Sequence, residues 1–515
     1  MVKFSHGNAW RPAARFGPIG LIALGMLIIS GSALPAQRLI VAQGTEPETL
    51  DAQATAVSAA HNVSFQITER LVLETSNGSL EPSLALKWGP IKDDRTWRFT
   101  LRPNVFFTNG EPMDAQAVKF SIERVLKPDP KWGSSVAHYV QPIESISVVD
   151  KMTVDIVTKK PFGLLPKNLV KVGIVPPDYV TRVGNVAFSR QPIGTGPFML
   201  KEWKVGQYVL LARNDKYWGT KAILDEVEFR AIPDPQTRVS ALESGDVHLI
   251  TQFPVQEAAR AKSARNFKMV GTPSLRNMNL VINTLKAGPL QDKRVRQALN
   301  YAVDKKTIVD KTLQGYGKVL QGQMLSEFYF GFNPALKPYP YDPKKAKELL
   351  ATAGYSNGFP LELATPRGRY MNDVEVAQLI VAYLEAVGLQ VTLQQYEWAP
   401  FVGMLTPKKL PELSLWGWAV TPADADSELG NNVSTHPFSY YRNPKFDAIM
   451  GRAAETSNDA QRLAAYKEAT ELLRDEAPNV WLYQQYDLYG VVDQVKNWKP
   501  RPDEILNLVP VSLGP

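Results

Sequence analysis

The chain has 515 residues, more than one hydrophobic core usually organises, since cores stop growing at about 250 to 300 residues, so two lobes are expected. It contains no cysteine, which excludes a disulfide framework and a lipid attached through a thiol. The formal charge is +7, but Lys and Arg are scattered without a block of five or an aromatic-interleaved basic stripe. Nothing in that pattern suggests a nucleic-acid partner.

Lys3, Arg11 and Arg15 precede the apolar run from Ile19 to Ile29, and the small residues Ser30 to Ala33 lead into Leu34-Pro35-Ala36. That order predicts a secretory signal peptide cleaved near Ala33 or Ala36. The rival is a retained anchor, because no charge interrupts Phe16 to Gln37 and about 20 apolar residues span a bilayer. Gly17, Pro18, Gly20, Gly25 and Pro35 count against it. Losing residues 1–36 removes three basic and no acidic residues, so the +7 becomes +4. The expected product is a released protein of the periplasm, not a lipoprotein.

Past Leu39, Trp97, Phe99 and Leu101 alternate as a strand that Pro103 stops. Asp114 is the expected N-cap of a helix spaced by Val118, Ile122 and Val125 and ended at Pro128. Alternating runs follow at Ser145 to Val149, Val154 to Val157, Tyr208 to Ala212 and Val227 to Ile232. The mixture reads as α/β.

From about Gly271 the helices lengthen. Val295, Ala298, Leu299 and Ala302 form one apolar stripe, and Asp342-Pro343 caps a helix that Gly354 closes. Asp373 starts another, carried by Ala377, Ile380, Leu384 and Val387 to Gly388, with the strand Leu389, Val391, Leu393 directly after. This α/β unit predicts a separate sheet in the second half. Asn443-Pro444 opens a further helix, its pattern continuing through Leu463, Tyr466, Ala469 and Leu473 to Pro478, before an apolar strand from Val480 to Val492. If that strand returns to the first lobe, two parallel crossings, near Gly271 to Asn283 and near Trp481 to Tyr489, make a hinge.

The chemistry of catalysis is missing. His6, His61, His138, His248 and His436 are the only histidines, and no Gly-x-Ser-x-Gly elbow, His-Glu-x-x-His helix or phosphate loop occurs. Gly194-Thr195-Gly196 meets Pro197 where a nucleotide loop would continue, and reads as a turn. His138 and His436 lack a second ligand at metal spacing. No cofactor, metal or catalytic residue is expected.

Five stretches together resemble one family over nearly the whole mature chain. They are GTEPETLDAQ from Gly44, EPSLALKW from Glu81, TWRFTLRPNVFFTNGEPMDAQAVKFSIER from Thr96, GTGPFMLKEW from Gly194 and DKRVRQALNYAVDKKTIV from Asp292. The family is the family 5 extracellular solute-binding proteins of ABC importers, which include dipeptide- and oligopeptide-binding proteins. The resemblance implies a two-lobed periplasmic-binding-protein fold that closes on a ligand and docks on an inner-membrane ABC permease, with nothing chemically changed. It places lobe I at residues 37–272, with an inserted subdomain near 60–180, lobe II at 273–482, and a return segment of lobe I at 483–515. A monomer is expected.

In the dipeptide-binding members an arginine takes the ligand carboxylate, a tryptophan follows, and an aspartate in a Trp-x-x-Asp turn holds the free amine. Arg367, Trp398 and Trp418-Ala419-Val420-Thr421 fall at matching places, so the resemblance leaves Thr421 where the amine-binding aspartate would be. A hydroxyl does not offset the desolvation of a buried ammonium. Arg369, on the same loop, is an alternative carboxylate fork. Trp398, Trp416 and Trp418 are candidate flat walls or ordinary core. Asp424 and Asp426 offer a displaced anion or cap the next helix. The leading expectation is a binder of a short peptide or peptide-like carboxylate. The alternatives are a binder of an oligosaccharide, opine or metal chelate, and, in a different class, a secreted hydrolase.

Overall fold

The computed structural model describes residues 37–514 apart from residues 56, 76–77, 128–131 and 420–421. The predicted leader and Thr421 lie outside the described residues.

The local signals meant what their chemistry suggested. Thr96–Leu101 is a strand with Trp97, Phe99 and Leu101 buried. Asp114 accepts hydrogen bonds from the backbone N–H groups of Gln116 and Ala117 and starts the helix Ala115–Leu126. All four stripe residues of the helix Lys293–Ala302 are buried, and Asp342 caps Pro343–Thr352 through the Lys345 N–H. One reading needs correction. The pattern from Asn443 to Pro478 is two helices, Pro444–Ala454 and Asp459–Glu476. Asn458 accepts from the Gln461 N–H and so caps a new start. Leu463 of the supposed stripe is exposed.

The expectation of a separate sheet in the second half is also corrected. One 11-stranded sheet orders its main path as Gln390–Tyr396, Pro360–Pro366, Leu413–Ala419, Phe267–Ile282, Asn479–Val492, Leu249–Ile250, Arg38–Gln43, Glu226–Ala231, Tyr208–Arg213 and Phe198–Lys204. The second-half strands join the first-half strands because the two crossing strands are 16 and 14 residues long, far beyond the usual five or six. Each lends one end to either half. The crossings run antiparallel, not parallel, as a chain that leaves and returns by neighbouring strands must. Their register shifts between Pro273 and Asn277 and again at Met278 and Asn279, so the ladder is irregular where it passes between the halves.

Burial follows the halves more than the sheet does. One apolar core draws on residues 39–267 and 488–511, and two adjoining clusters draw on residues 275–483. A further core, spanning residues 71–174, packs around the antiparallel sheet of Ala85–Pro90, Thr96–Leu101, Thr153–Thr158 and Ile143–Asp150.

Gly194 and Gly196 work by close approach. The Gly196 N–H donates to the Ile67 carbonyl at 2.9 Å, and a Cβ at Gly194 would sit 2.0 Å from that oxygen. Gly194→Ala should therefore destabilise the fold by about 1–3 kcal/mol or more through overpacking, read as a lower urea midpoint. A second expectation concerns pH. His61 is buried, stacked on Phe65, with Nε2 2.9 Å from the Thr55 carbonyl. Burial, helped by Lys171 and Arg70, holds its pKa down at about 3. Between pH 6.5 and 3 the unfolded chain takes up a proton that the folded chain refuses, so stability falls as pH falls through that window. His61→Gln should lose about 2 kcal/mol less than wild type between pH 7 and pH 5 in urea titrations.

Candidate functional site

A cavity of about 620 Å³ opens between the two halves, within the size range of small-ligand sites. One wall comes from Gly44, Thr45 and residues 233–256 of the first half, the other from residues 367–375 and Gln395 of the second. Its floor includes Arg276 and Gln485, Tyr486 and Leu488 of the crossing strands, and Glu504 of the C-terminal segment. Another cavity, of about 480 Å³, includes Glu69, Arg70, Lys171 and Asp503 among its lining and takes no residue from 273–482. Movement of the second half against the first would reshape the first cavity, so it is the better candidate for a site that closes on a ligand.

The loop bearing both candidate arginines is tied down by a residue read from sequence only as a helix start. Asp373 is buried, and its carboxylate accepts the backbone N–H groups of Gly368 at 3.1 Å, Arg369 at 2.8 Å and Tyr370 at 3.0 Å. Gly368 takes φ +74°, which lets the loop turn inside that grip.

The two arginines have different surroundings. Arg367 is 63% exposed and pairs at 2.7 Å with Glu397. Arg369 is half-buried, and among the described residues its guanidinium has no hydrogen bond or ion pair. It lies 5.2 Å from the Tyr370 ring centre and 5.1 Å from that of Trp398, close enough for cation–π attraction. Burial and the nearby Arg276 lower its pKa from the ordinary arginine value. Trp398, half-buried, stacks on Phe401 and meets Tyr370 edge-on.

The remaining candidates lie elsewhere. Trp416 is 2% exposed, with Nε1 donating to Ser414 Oγ at 3.1 Å. Trp418, half-buried, packs against Trp416 and Phe438. Neither lines the cleft cavity. Asp424 is fully buried and accepts from Lys167 Nζ at 2.6 Å, Arg462 Nη2 at 2.6 Å, Tyr466 Oη at 3.0 Å and the Asp426 N–H at 3.0 Å. The last of these caps the helix Ala425–Leu429. Burial raises its pKa, but Lys167 and Arg462 outweigh that and hold it below the usual carboxylate value. Burial and the charge of Asp424 push Asp426 up to about 7.

Sequence reading missed the cleft floor. Arg276 is buried and pairs with Glu504 at 2.9 Å. Glu504 holds a left-handed backbone at φ +64°, a conformation that costs energy and tends to persist at functional sites. Asp487, beside them, is the one acid within the strand Asn479–Val492. The available signal was an ionisable residue in the middle of each long strand, Arg276 in Phe267–Ile282 and Asp487 in Asn479–Val492.

The cavity is a cleft between two cores with the unpaired guanidinium of Arg369 inside it, a geometry suited to holding a ligand. Comparison with known proteins places the chain further. Residues 79–440 match the family described as bacterial extracellular solute-binding proteins, family 5 Middle, and the chain belongs to that family. It is 28% identical over 474 residues to heme-binding protein A of Haemophilus influenzae, covering 86% of each chain. It is 30% identical over 441 residues to the nickel-binding periplasmic protein of Escherichia coli, covering 80% of this chain and 82% of that one. Its fold matches the periplasmic binding protein DppA of Helicobacter pylori in complex with the peptide STSA, at TM-score 0.77 and 26% identity over 92% of this chain and 98% of that one. The protein is a non-enzymatic substrate-binding component of an ABC transporter. Among the described residues no helix is long and apolar enough to cross a membrane.

Asp424→Ala should strand Arg462 and Lys167 and destabilise the protein by about 3–5 kcal/mol, the usual loss when one member of a buried ion pair is removed. Urea unfolding monitored by tryptophan fluorescence measures it.

Proposed function

We propose that the protein captures a short peptide or peptide-like carboxylate in the cleft and hands it, unaltered, to an ABC permease. The observation that carries this reading is Arg369. A guanidinium resting against two aromatic rings in a ligand-sized cavity, without an acceptor of its own among the described residues, is preorganised for a carboxylate fork. Arg367 is the less suitable partner, because it is exposed and already engaged by Glu397.

Contacts that bridge the cleft support lobe closure as the means of capture. Lys167 reaches Asp424, Gln256 Nε2 donates to Asn372 Oδ1 at 2.7 Å, and Asp94 accepts from the backbone N–H of Ser457 at 3.0 Å. On this reading residues 37–272 and 483–515 form lobe I, residues 273–482 form lobe II, and the crossing strands are the hinge. Cargo touching both lobes shifts the open and closed populations by its differential affinity. The same reading has the chain exported to the periplasm, its leader removed near Ala33 or Ala36, and working there as an unlipidated monomer.

Native mass spectrometry with a defined peptide pool tests the assignment. Arg369→Met should weaken retained peptides by about 2–5 kcal/mol, whereas Arg367→Met should change affinity by less than about 1 kcal/mol, as for an exposed ion pair. The reverse order of effects would reject Arg369 as the carboxylate anchor.

A further inference from the structure

Asp487 is a half-buried carboxyl that, like Arg369, makes no ion pair among the described residues. An annexe of about 80 Å³, lined by Ser58, Asn62 and Asp487, shares Gly44, Thr45, Gln252, Leu488 and Glu504 with the main cleft cavity. It lies at the carboxyl ends of the parallel strands Arg38–Gln43 and Leu249–Ile250, where open α/β sheets bind their ligands. Asp487 Oδ2 is closed off from solvent and has no hydrogen-bond partner, and the carboxylate makes no ion pair among the described residues. Arg276, the cation nearest to hand, is engaged with Glu504.

We propose that Asp487, assisted by Glu504, receives an ammonium group of the cargo whose carboxylate Arg369 binds. This rests on the peptide reading and sharpens it, because it makes the preferred cargo a zwitterion with a free amine. The subsite supplies from the cleft floor the negative charge that Thr421 lacks. Asp487 lines the annexe and Arg369 the main cavity, and because the two cavities adjoin through five shared lining residues a ligand extending from one into the other reaches both groups. Burial and the neighbouring Glu504 push the Asp487 carboxyl well above its usual pKa. A bound ammonium would restore the charged form.

The test uses a pool of synthetic tri- and tetrapeptides without Lys or Arg, each made with a free and with an acetylated N-terminus, and reads retention by native mass spectrometry. Wild type should retain free peptides at least tenfold better than their acetylated partners. Asp487→Asn should erase that preference, and Arg369→Met should weaken both forms alike. Because Asp487 is unpaired, the isosteric Asp487→Asn protein should melt at the wild-type temperature or above when ligand-free, which separates a lost subsite from a lost fold. Equal retention of free and acetylated peptides by wild type, or a preference that survives Asp487→Asn, overturns the subsite while leaving the peptide reading in place. Retention of no peptide overturns both.

Discussion

Two long strands carry the architecture. Phe267–Ile282 and Asn479–Val492 pair with each other, and each feeds a different core at either end. Their middle therefore has to pass between two hydrophobic bodies while keeping its backbone groups satisfied. The pairing holds on both sides of Pro273–Asn277 and is irregular within it. Arg276 and Asp487 stand beside that interruption, so the connection between the halves is also the floor of the cleft.

Pairing sets Asp424 apart from Arg369 and Asp487. Asp424 is as buried as a carboxylate can be, but two cations, a phenol and a backbone N–H satisfy it. Nothing is left over for a ligand. Arg369 and Asp487 are less completely buried and have no such partners. A folded chain gains nothing from leaving a desolvated ionisable group unpaired, and the proposed cargo would supply the partners that Arg369 and Asp487 lack.

The relatives show why the fold alone does not name the cargo. The three compared proteins are named for heme, nickel and a peptide, and the chain resembles each to a similar degree. One scaffold hosts different ligands because the hinge and the cores set the closure, while a few side chains on loops set the chemistry. In the proposed site those are the loop fastened by Asp373 and the segment bearing Glu504.

Much of the fold was legible along the chain. Caps such as Asp114 and Asp342, and stripes such as Val295, Ala298, Leu299 and Ala302, act over a few residues, and local geometry is all they need. The run from Asn443 to Pro478 misled because its apolar spacing continued across a break that only Asn458 marked. The arginine loop was found by resemblance, but the choice between Arg367 and Arg369 turned on Glu397 and on two rings brought together by packing. Asp487 and Glu504 lie 17 positions apart and meet Arg276 only when the return strand folds back. Sequence alone carried the family resemblance and most of the local elements, since caps, stripes and motifs are short-range patterns. Which charges are paired was decided by the tertiary structure, because the partners lie from 30 positions apart, as in Arg367 and Glu397, to 257, as in Lys167 and Asp424.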